Sequence, residues 1–268
     1  MNHWQGKVAV VTGGSSGLGK AIARQLVDRG AQVVIAARTA DKLNEAAASL
    51  RGNGPEVAAI VADITQQSDV DRLFEQTLSR FGRLDALFNN AGRSARGEAQ
   101  ATTAEEFAEL MDLNLIALVR CTRAALPSLL ETKGHLVNIG SLAGKTAARY
   151  MGAYSATKFA VSAYSQQLRL ELGPKGLHVL LVSPGPIARD EVRTYGAEKM
   201  SSLPASARKP GGGVKVNLLQ PEDLAKRIVA ACEKRSPELV VPGKARLVFA
   251  ISQLSPSLGD WIIRKMSG

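Results

Sequence analysis

Tyr154 and Lys158 stand four residues apart in Tyr154-Ser155-Ala156-Thr157-Lys158. On a helix, residues so spaced share one face, about 40° apart. An ammonium beside a phenol favours the phenolate and lowers the tyrosine's pKa towards working pH, so the pair can give and take a proton. Tyr150 and Tyr164 have no lysine four residues later. Tyrosine–lysine pairs also arise at this spacing by chance, so the setting decides. Ser141 follows an apolar run, HLVNIG, thirteen residues before Tyr154. Asn114 sits in an apolar helical surround, Met111-Asp112-Leu113-Asn114-Leu115-Ile116. A buried amide in mid-helix needs partners, so it is either a local satisfaction device or a functional group.

A second set of residues has the chemistry to hold an anionic, ring-bearing ligand. The stretch VAVVTGGSSGLG runs from an apolar strand into Gly13, Ser15, Ser16, Gly17, Leu18 and Gly19. Leu18, Ala21, Ile22 and Leu26 then open a helical pattern. Such loops hold phosphate, because glycine lets the backbone approach and the first helical N–H groups point outward with the positive dipole end. The same residues also read as a ligand-free glycine turn. The next strand ends Ala36-Ala37-Arg38-Thr39. An NAD site places an acidic residue near this point to accept from the ribose 2′-hydroxyl. Arg38 pairs instead with a 2′-phosphate, which points to NADP(H) over NAD, although a solvated arginine at a helix start has the same appearance. Asp63-Ile64 follows the third strand, where the carboxylate either accepts from an adenine amino group or caps the helix beginning near Ser68. After strand four come Asn89-Asn90-Ala91-Gly92, small residues that let the backbone lie against a flat ring and an asparagine pair able to tie strand ends together.

The elements that must position these residues alternate. Apolar runs at 8–12, 32–37, 57–62, 84–89, 135–140, 177–183 and 239–241 read as strands. Helical patterns at 18–29, 41–50, 68–81, 104–129, 153–172 and 221–234 separate them. That alternation predicts βαβ units, a doubly wound parallel sheet of about seven strands, and ligands at the strands' carboxyl ends.

Composition narrows the function classes. The chain has 268 residues, 45% of them hydrophobic, enough for one large core. The N-terminus lacks a signal-peptide pattern, and no apolar run reaches about 18 residues, so the expected location is cytoplasmic. Two separated cysteines and three scattered histidines leave no expected metal site. The net charge of +10 favours anionic partners, but the basic residues are dispersed and aromatics make up only 4%, which argues against nucleic acid.

Taken together, Thr12-Gly13-(x)3-Gly17-x-Gly19, Asn89-Asn90-Ala91-Gly92, Asn114, Ser141, Tyr154-(x)3-Lys158 and Pro184-Gly185 resemble, in order and spacing, the short-chain dehydrogenase/reductase family, including its 3-oxoacyl-[acyl-carrier-protein] reductases and lipid-ketone reductases. The resemblance covers residues 6–243. It implies a single Rossmann-type catalytic domain over 1–243, three layers in αβα order; the helical extension over 244–268 is read from its own apolar spacing. It further implies an NADP(H)-dependent oxidoreductase acting on CH–OH groups, run chiefly as a ketone reductase on a small-molecule carbonyl, best a 3-oxoacyl group carried as a thioester or another lipophilic ketone. The enzymatic alternative is an NAD-linked dehydrogenase of a steroid or sugar alcohol; the non-enzymatic one is an NADP-binding sensor on the same fold.

By that resemblance Tyr154 is the general acid, Lys158 holds the nicotinamide ribose and tunes Tyr154, Ser141 binds the substrate oxygen, and Asn114 holds a water linking Lys158 to solvent. Gly13, Ser15, Ser16, Gly17, Leu18 and Gly19 line the pyrophosphate and ribose, and Arg38 takes the 2′-phosphate. Asp63 and Ile64 flank the adenine. Asn90, Ala91 and Gly92 lie by the nicotinamide ribose, and Pro184, Gly185 and Ile187 by the carboxamide. A homodimer or homotetramer through the two long helices is also implied.

Two departures stand out. Arg189 occupies the place of a threonine that in many members reaches the carboxamide. Residues 244–268 extend past the last strand, with Leu247, Val248, Ile251 and Leu254 and then Leu258, Trp261, Ile262 and Met266 at helical spacing, flanked by Arg264 and Lys265. This tail reads as a cap on its own domain or a partner subunit, or as a peripheral membrane contact of apolar residues and cations. The substrate side is expected over 185–220, lined by Tyr195, Met200, Leu203 and Leu218, with Gly211-Gly212-Gly213 as a lid hinge or a surface loop.

Overall fold

The computed structural model describes residues 2–52, 54–188, 203–205, 207–208 and 217–266. Its centre is a sheet of β1 (Val8–Thr12), β2 (Gln32–Ala37), β3 (Val57–Val61), β4 (Ala86–Asn89), β5 (His135–Ile139), β6 (His178–Pro184) and β7 (Glu238–Val241). All pair in parallel, in the order β3-β2-β1-β4-β5-β6-β7. In β1, Ala9 and Val11 feed one core and Val10 the other, the two-residue period of a strand buried on both faces. The first core is closed by α1 (Gly17–Val27), α2 (Ala40–Leu50) and α7 (Pro221–Glu233). The second is closed by α3 (Gln67–Phe81), α5 (Ala117–Glu131) and α6 (Tyr154–Leu172). These are the three layers and seven strands that the alternating pattern predicts. Strand order reverses between β1 and β4, which opens the crevice where the predicted ligand residues converge.

One long helix was expected over 104–129; the helical path runs over Ala104–Glu131 but widens in its middle. After α4 (Ala104–Met111), which starts on a capping box of Thr103 and Glu106, the chain makes a π-helical turn over Asp112–Ile116 before α5. Asn114, at the centre of that turn, bonds out of the helix to Arg93 and Thr157, which explains the local widening. The whole rod, Ala104–Glu131, is long and apolar enough to cross a membrane, but it packs here against β4, β5, α3 and α6.

The tail is a helical hairpin, α8 (Ala245–Leu254) and α9 (Pro256–Met266). A Cβ on Gly259 would lie 2.6 Å from Ser252 Cα, so only glycine lets the two helices meet this closely. Arg246 reaches back to Glu238 of β7 at 3.8 Å.

The three histidines, far apart in sequence, meet at the amino ends of the strands. His135 Nδ1 lies 2.8 Å from His178 Nδ1, and His135 Nε2 lies 3.0 Å from His3 Nε2. Trp4, fully buried, covers them from the first core and donates from Nε1 to Glu233.

Candidate active site

The glycine loop owes its shape to a close approach. A Cβ at Gly19 would fall 2.1 Å from the carbonyl oxygen of Gly13, so α1 starts directly on the turn that precedes it. Asn90 fastens that turn to β4, donating from Nδ2 to the carbonyls of Thr12 and Gly13 at 3.1 and 3.2 Å. Thr12 Oγ1 accepts from the N–H groups of Asn90 and Ala91, both at 3.1 Å. Asn89 ties the other side, donating to Asn138 Oδ1 of β5 and to Thr122 Oγ1, each at 3.0 Å. The asparagine pair thus joins three neighbouring strand ends, as the sequence suggested. The shares of Thr12, Thr122 and Asn138 are new.

A single cleft of about 1370 Å³ lies over these strand ends. Its floor at one end is Gly13, Ser15, Ser16, Gly17 and Leu18, continuing to Arg38, Asp63, Ile64, Asn90, Ala91 and Gly92. Ser141, Tyr154 and Lys158 line the same cleft, as do Pro184, Gly185 and Ile187. Gly19 and Asn114 lie behind the wall rather than on it. Lys42 and Thr39 join Arg38 on the lining, a second cation that sequence spacing did not single out, although its place one helical turn into α2 follows from the pattern. Asp63 is partly committed: its Oδ1 accepts from the N–H and hydroxyl of Thr65 at 3.0 and 2.7 Å. It therefore closes a local turn and also faces the cleft.

The reactive pair is built by packing. α6 begins at Tyr154, which places Tyr154 and Lys158 on successive turns, with Nζ 5.9 Å from the centre of the Tyr154 ring. Lys158 is 7% exposed and donates from Nζ to the carbonyl of Ile139, the last residue of β5, at 2.8 Å. Burial, without a carboxylate partner to offset it, lowers its pKa to about 8. Ser141 caps the short turn Leu142–Gly144, its Oγ accepting from Ala143 N at 3.1 Å, which leaves the hydroxyl proton free to be directed elsewhere. Gly144 lets that turn sit on α6: a Cβ there would lie 2.4 Å from Lys158 O. Nothing in the sequence flagged Gly144.

Asn114 uses its whole amide locally. Oδ1 accepts from Arg93 N at 2.9 Å, and Nδ2 donates to Arg93 O at 2.9 Å and to Thr157 Oγ1 at 3.0 Å. It ties the segment after Gly92 to α6, and a Cβ on Gly92 would come within 2.9 Å of Asn114 Oδ1.

On the substrate side Leu218 lines the cleft, and Leu203 is buried without lining it. Arg189, Tyr195, Met200 and Gly211-Gly212-Gly213 lie outside the described residues. The tail contributes more than the sequence indicated. Val248, Ile251, Ile262 and Met266 line the cleft, while Leu254 (87% exposed) and Trp261 (52%) face outward.

Known proteins match this architecture over most of its length. L-fucose dehydrogenase of Mus musculus is 33% identical over 269 residues, covering 97% of this chain and 96% of that protein. Among solved structures, a short-chain dehydrogenase from Streptomyces avermitilis superposes with a TM-score of 0.80 at 33% identity, over 95% of this chain and 96% of that one. L-Sorbose reductase from Gluconobacter frateurii, solved with NADPH and L-sorbose, superposes with a TM-score of 0.76 at 28% identity, over 88% of this chain and 95% of that one. The family model described as short chain dehydrogenase matches residues 7–199, and with relatives aligned along nearly the whole chain it makes this protein a member of the short-chain dehydrogenase/reductase family of oxidoreductases.

Proposed function

We propose that this enzyme is an NADP(H)-dependent carbonyl reductase acting on a lipophilic ketone, with a 3-oxoacyl thioester as the best-fitting class. The observation that carries the reading is that Ser141, Tyr154 and Lys158 share one cleft with the cationic pair Arg38 and Lys42.

The cleft suits a nicotinamide dinucleotide. The glycine turn, closed so tightly that a Cβ on Gly19 cannot fit, leaves backbone at the α1 N-terminus beside the cleft for a pyrophosphate. Arg38 and Lys42, at the end of β2 and the first turn of α2, offer two positive charges to a 2′-phosphate, and no carboxylate stands at Arg38's position to favour a free 2′-hydroxyl. When bound, the cofactor supplies the hydride.

The protein's own part is orientation and one proton. The Ser141 hydroxyl donates to the carbonyl oxygen and fixes it within reach of Tyr154. The Tyr154 hydroxyl gives its proton to that oxygen as negative charge develops there, and takes it back in the reverse direction. The Lys158 ammonium stabilises the phenolate left behind and donates to ribose hydroxyls. The side-chain amide of Asn114, bonded to Arg93 and Thr157, serves to hold the segment after Gly92 against α6.

A second reading, oxidation of a sugar or other secondary alcohol with NAD, is favoured by the names of two relatives, L-fucose dehydrogenase and L-sorbose reductase. Apolar residues on the substrate side weigh against it. In either case Phe159 and Leu170, exposed on α6, suit assembly of a homodimer or homotetramer through the long helices.

The test is oxidation of NADPH and NADH with 3-oxoacyl thioesters, simple ketones, L-sorbose and, in reverse, L-fucose, using wild type and Tyr154→Phe. Tyr154-dependent turnover of the ketones with NADPH supports the proposal. Turnover confined to sugars, or to NADH, replaces it with the second reading. Cofactor binding without any turnover would point to a sensor.

A further inference from the structure

The apolar face of the α8–α9 hairpin is turned towards the chemistry. Val248 and Ile251 lie three residues apart on one face of α8, and Ile262 and Met266 four apart on one face of α9. All four line the cleft that holds Tyr154. The contact between Gly259 and Ser252 draws the two helices into one surface, and Arg246 anchors it to Glu238 of β7.

None of these four side chains can donate a hydrogen bond to a substrate hydroxyl, and only the Met266 thioether can accept one, weakly. Of the three carboxylates on the cleft lining, Asp63 accepts from Thr65 beside Arg38, and Glu109 and Asp112 are held by Arg93 at 2.6 Å and Arg120 at 2.9 Å. A polyhydroxylated substrate seated against this wall would lose water without replacement, whereas methylene groups would gain.

We propose that the hairpin forms a hydrocarbon subsite that sets the length of the apolar chain attached to the reacting carbonyl, with Ile251 and Ile262 as its specificity-determining residues. The inference rests on the carbonyl-reductase reading and deepens it. The chain's polar end lies at Ser141 and Tyr154, and its methylenes run along α8 and α9. Specificity thus comes from a segment that follows β7 rather than from the sheet itself.

The experiment measures kcat/KM with NADPH for N-acetylcysteamine thioesters from acetoacetyl to 3-oxododecanoyl. Full-length wild type is compared with Ile251→Trp, which narrows the subsite, and Ile262→Ala, which enlarges it. Wild type should gain roughly fourfold per methylene until the subsite is full. Ile251→Trp should lose about tenfold or more on the long thioesters, keep acetoacetyl turnover within about twofold, and leave NADPH affinity unchanged. Ile262→Ala should shift the preferred length upward. A flat length profile in wild type, or variants that lower all substrates equally, overturns the proposal.

Calorimetry with the corresponding 3-hydroxyacyl thioesters, in the presence of NADP, separates the two readings. If no ketone is reduced but binding rises with chain length and depends on Ile251, the subsite stands and the reductase reading falls. If binding is independent of length, the subsite falls whatever the chemistry.

Discussion

Lys158 Nζ donates to the carbonyl oxygen of Ile139 at 2.8 Å, so the ammonium of α6 is held against the last residue of β5. This bond places the charge beside the Tyr154 ring and keeps it out of water. The lowered pKa, about 8 against 10.5, means that burying the charged form costs the cofactor-free fold about 3 kcal/mol, at about 1.4 kcal/mol per pH unit. The folded value lies below the unfolded one, so the cost is full below pH 8 and is relieved as pH rises from there towards 10.5. Lys158→Met should abolish reduction yet raise the melting temperature by a few degrees at pH 7, loss of the donor to Ile139 offsetting part of the gain. The gain should shrink above pH 8, and in wild type kcat/KM for reduction should decline as pH rises through about 8. Calorimetric melts across pH, and a pH–rate profile, check both.

Arg38 and Lys42 flank the cleft where β2 passes into α2. A charge-assisted bond to phosphate contributes about 1.5–3 kcal/mol, so Arg38→Ala should weaken NADPH binding by about tenfold to hundredfold. Lys42→Ala should weaken it less, since an ammonium makes no bidentate fork. NADH affinity should change little in either variant. Fluorescence titration with both cofactors measures this, and an equal loss for NADH would show that neither residue reads the 2′-phosphate.

Gly144→Ala tests how the proton donor and the carbonyl holder are kept in register. The added Cβ would lie 2.4 Å from Lys158 O, a backbone atom that has no rotamer by which to escape. The turn bearing Ser141 must therefore move off α6. A displacement of this kind should lower kcat by about a hundredfold, with NADPH affinity nearly intact, because the glycine loop and Arg38 lie elsewhere in the cleft. Steady-state kinetics set beside cofactor titration distinguishes this from general unfolding.

The sequence was readable where local pattern and global fold agree. The seven apolar runs became the seven strands because β1, β4, β5 and β6 are buried on both faces and the outer strands extend the sheet from them, and the glycine loop, Tyr154 and Lys158 converge because parallel strands end on one side. Contacts between distant segments were not readable. Gly144 against Lys158, Gly259 against Ser252 and Lys42 beside Arg38 each depend on where a turn or helix comes to rest, which a window of sequence does not encode. Asn114 was ambiguous for a related reason. Its surroundings announced a buried amide, but only the fold reveals that Arg93 and Thr157 consume it and that the helix widens to allow this.

The histidine cluster gives a prediction far from the active site. His178 Nε2 faces the carbonyl oxygen of Ser236 at 2.8 Å and must donate to it, which leaves Nδ1 as an acceptor for the Nδ1–H of His135. This chain of bonds requires a neutral His178 ring, because its Nδ1 must accept. Burial pushes His135 down to about 2 and lowers His178 as well. The unfolded chain takes up protons near pH 6.5 that the folded chain refuses, so stability should fall as pH drops below 6.5. For His135 alone the loss is about 2 kcal/mol at pH 5 relative to pH 7. Urea denaturation at these two pH values should show that decrease in wild type. In His135→Gln, which retains an amide donor for His178, overall stability should be lower at pH 7 but the acid-dependent loss smaller. An equal acid-dependent loss in the variant would place the sensitivity in other groups.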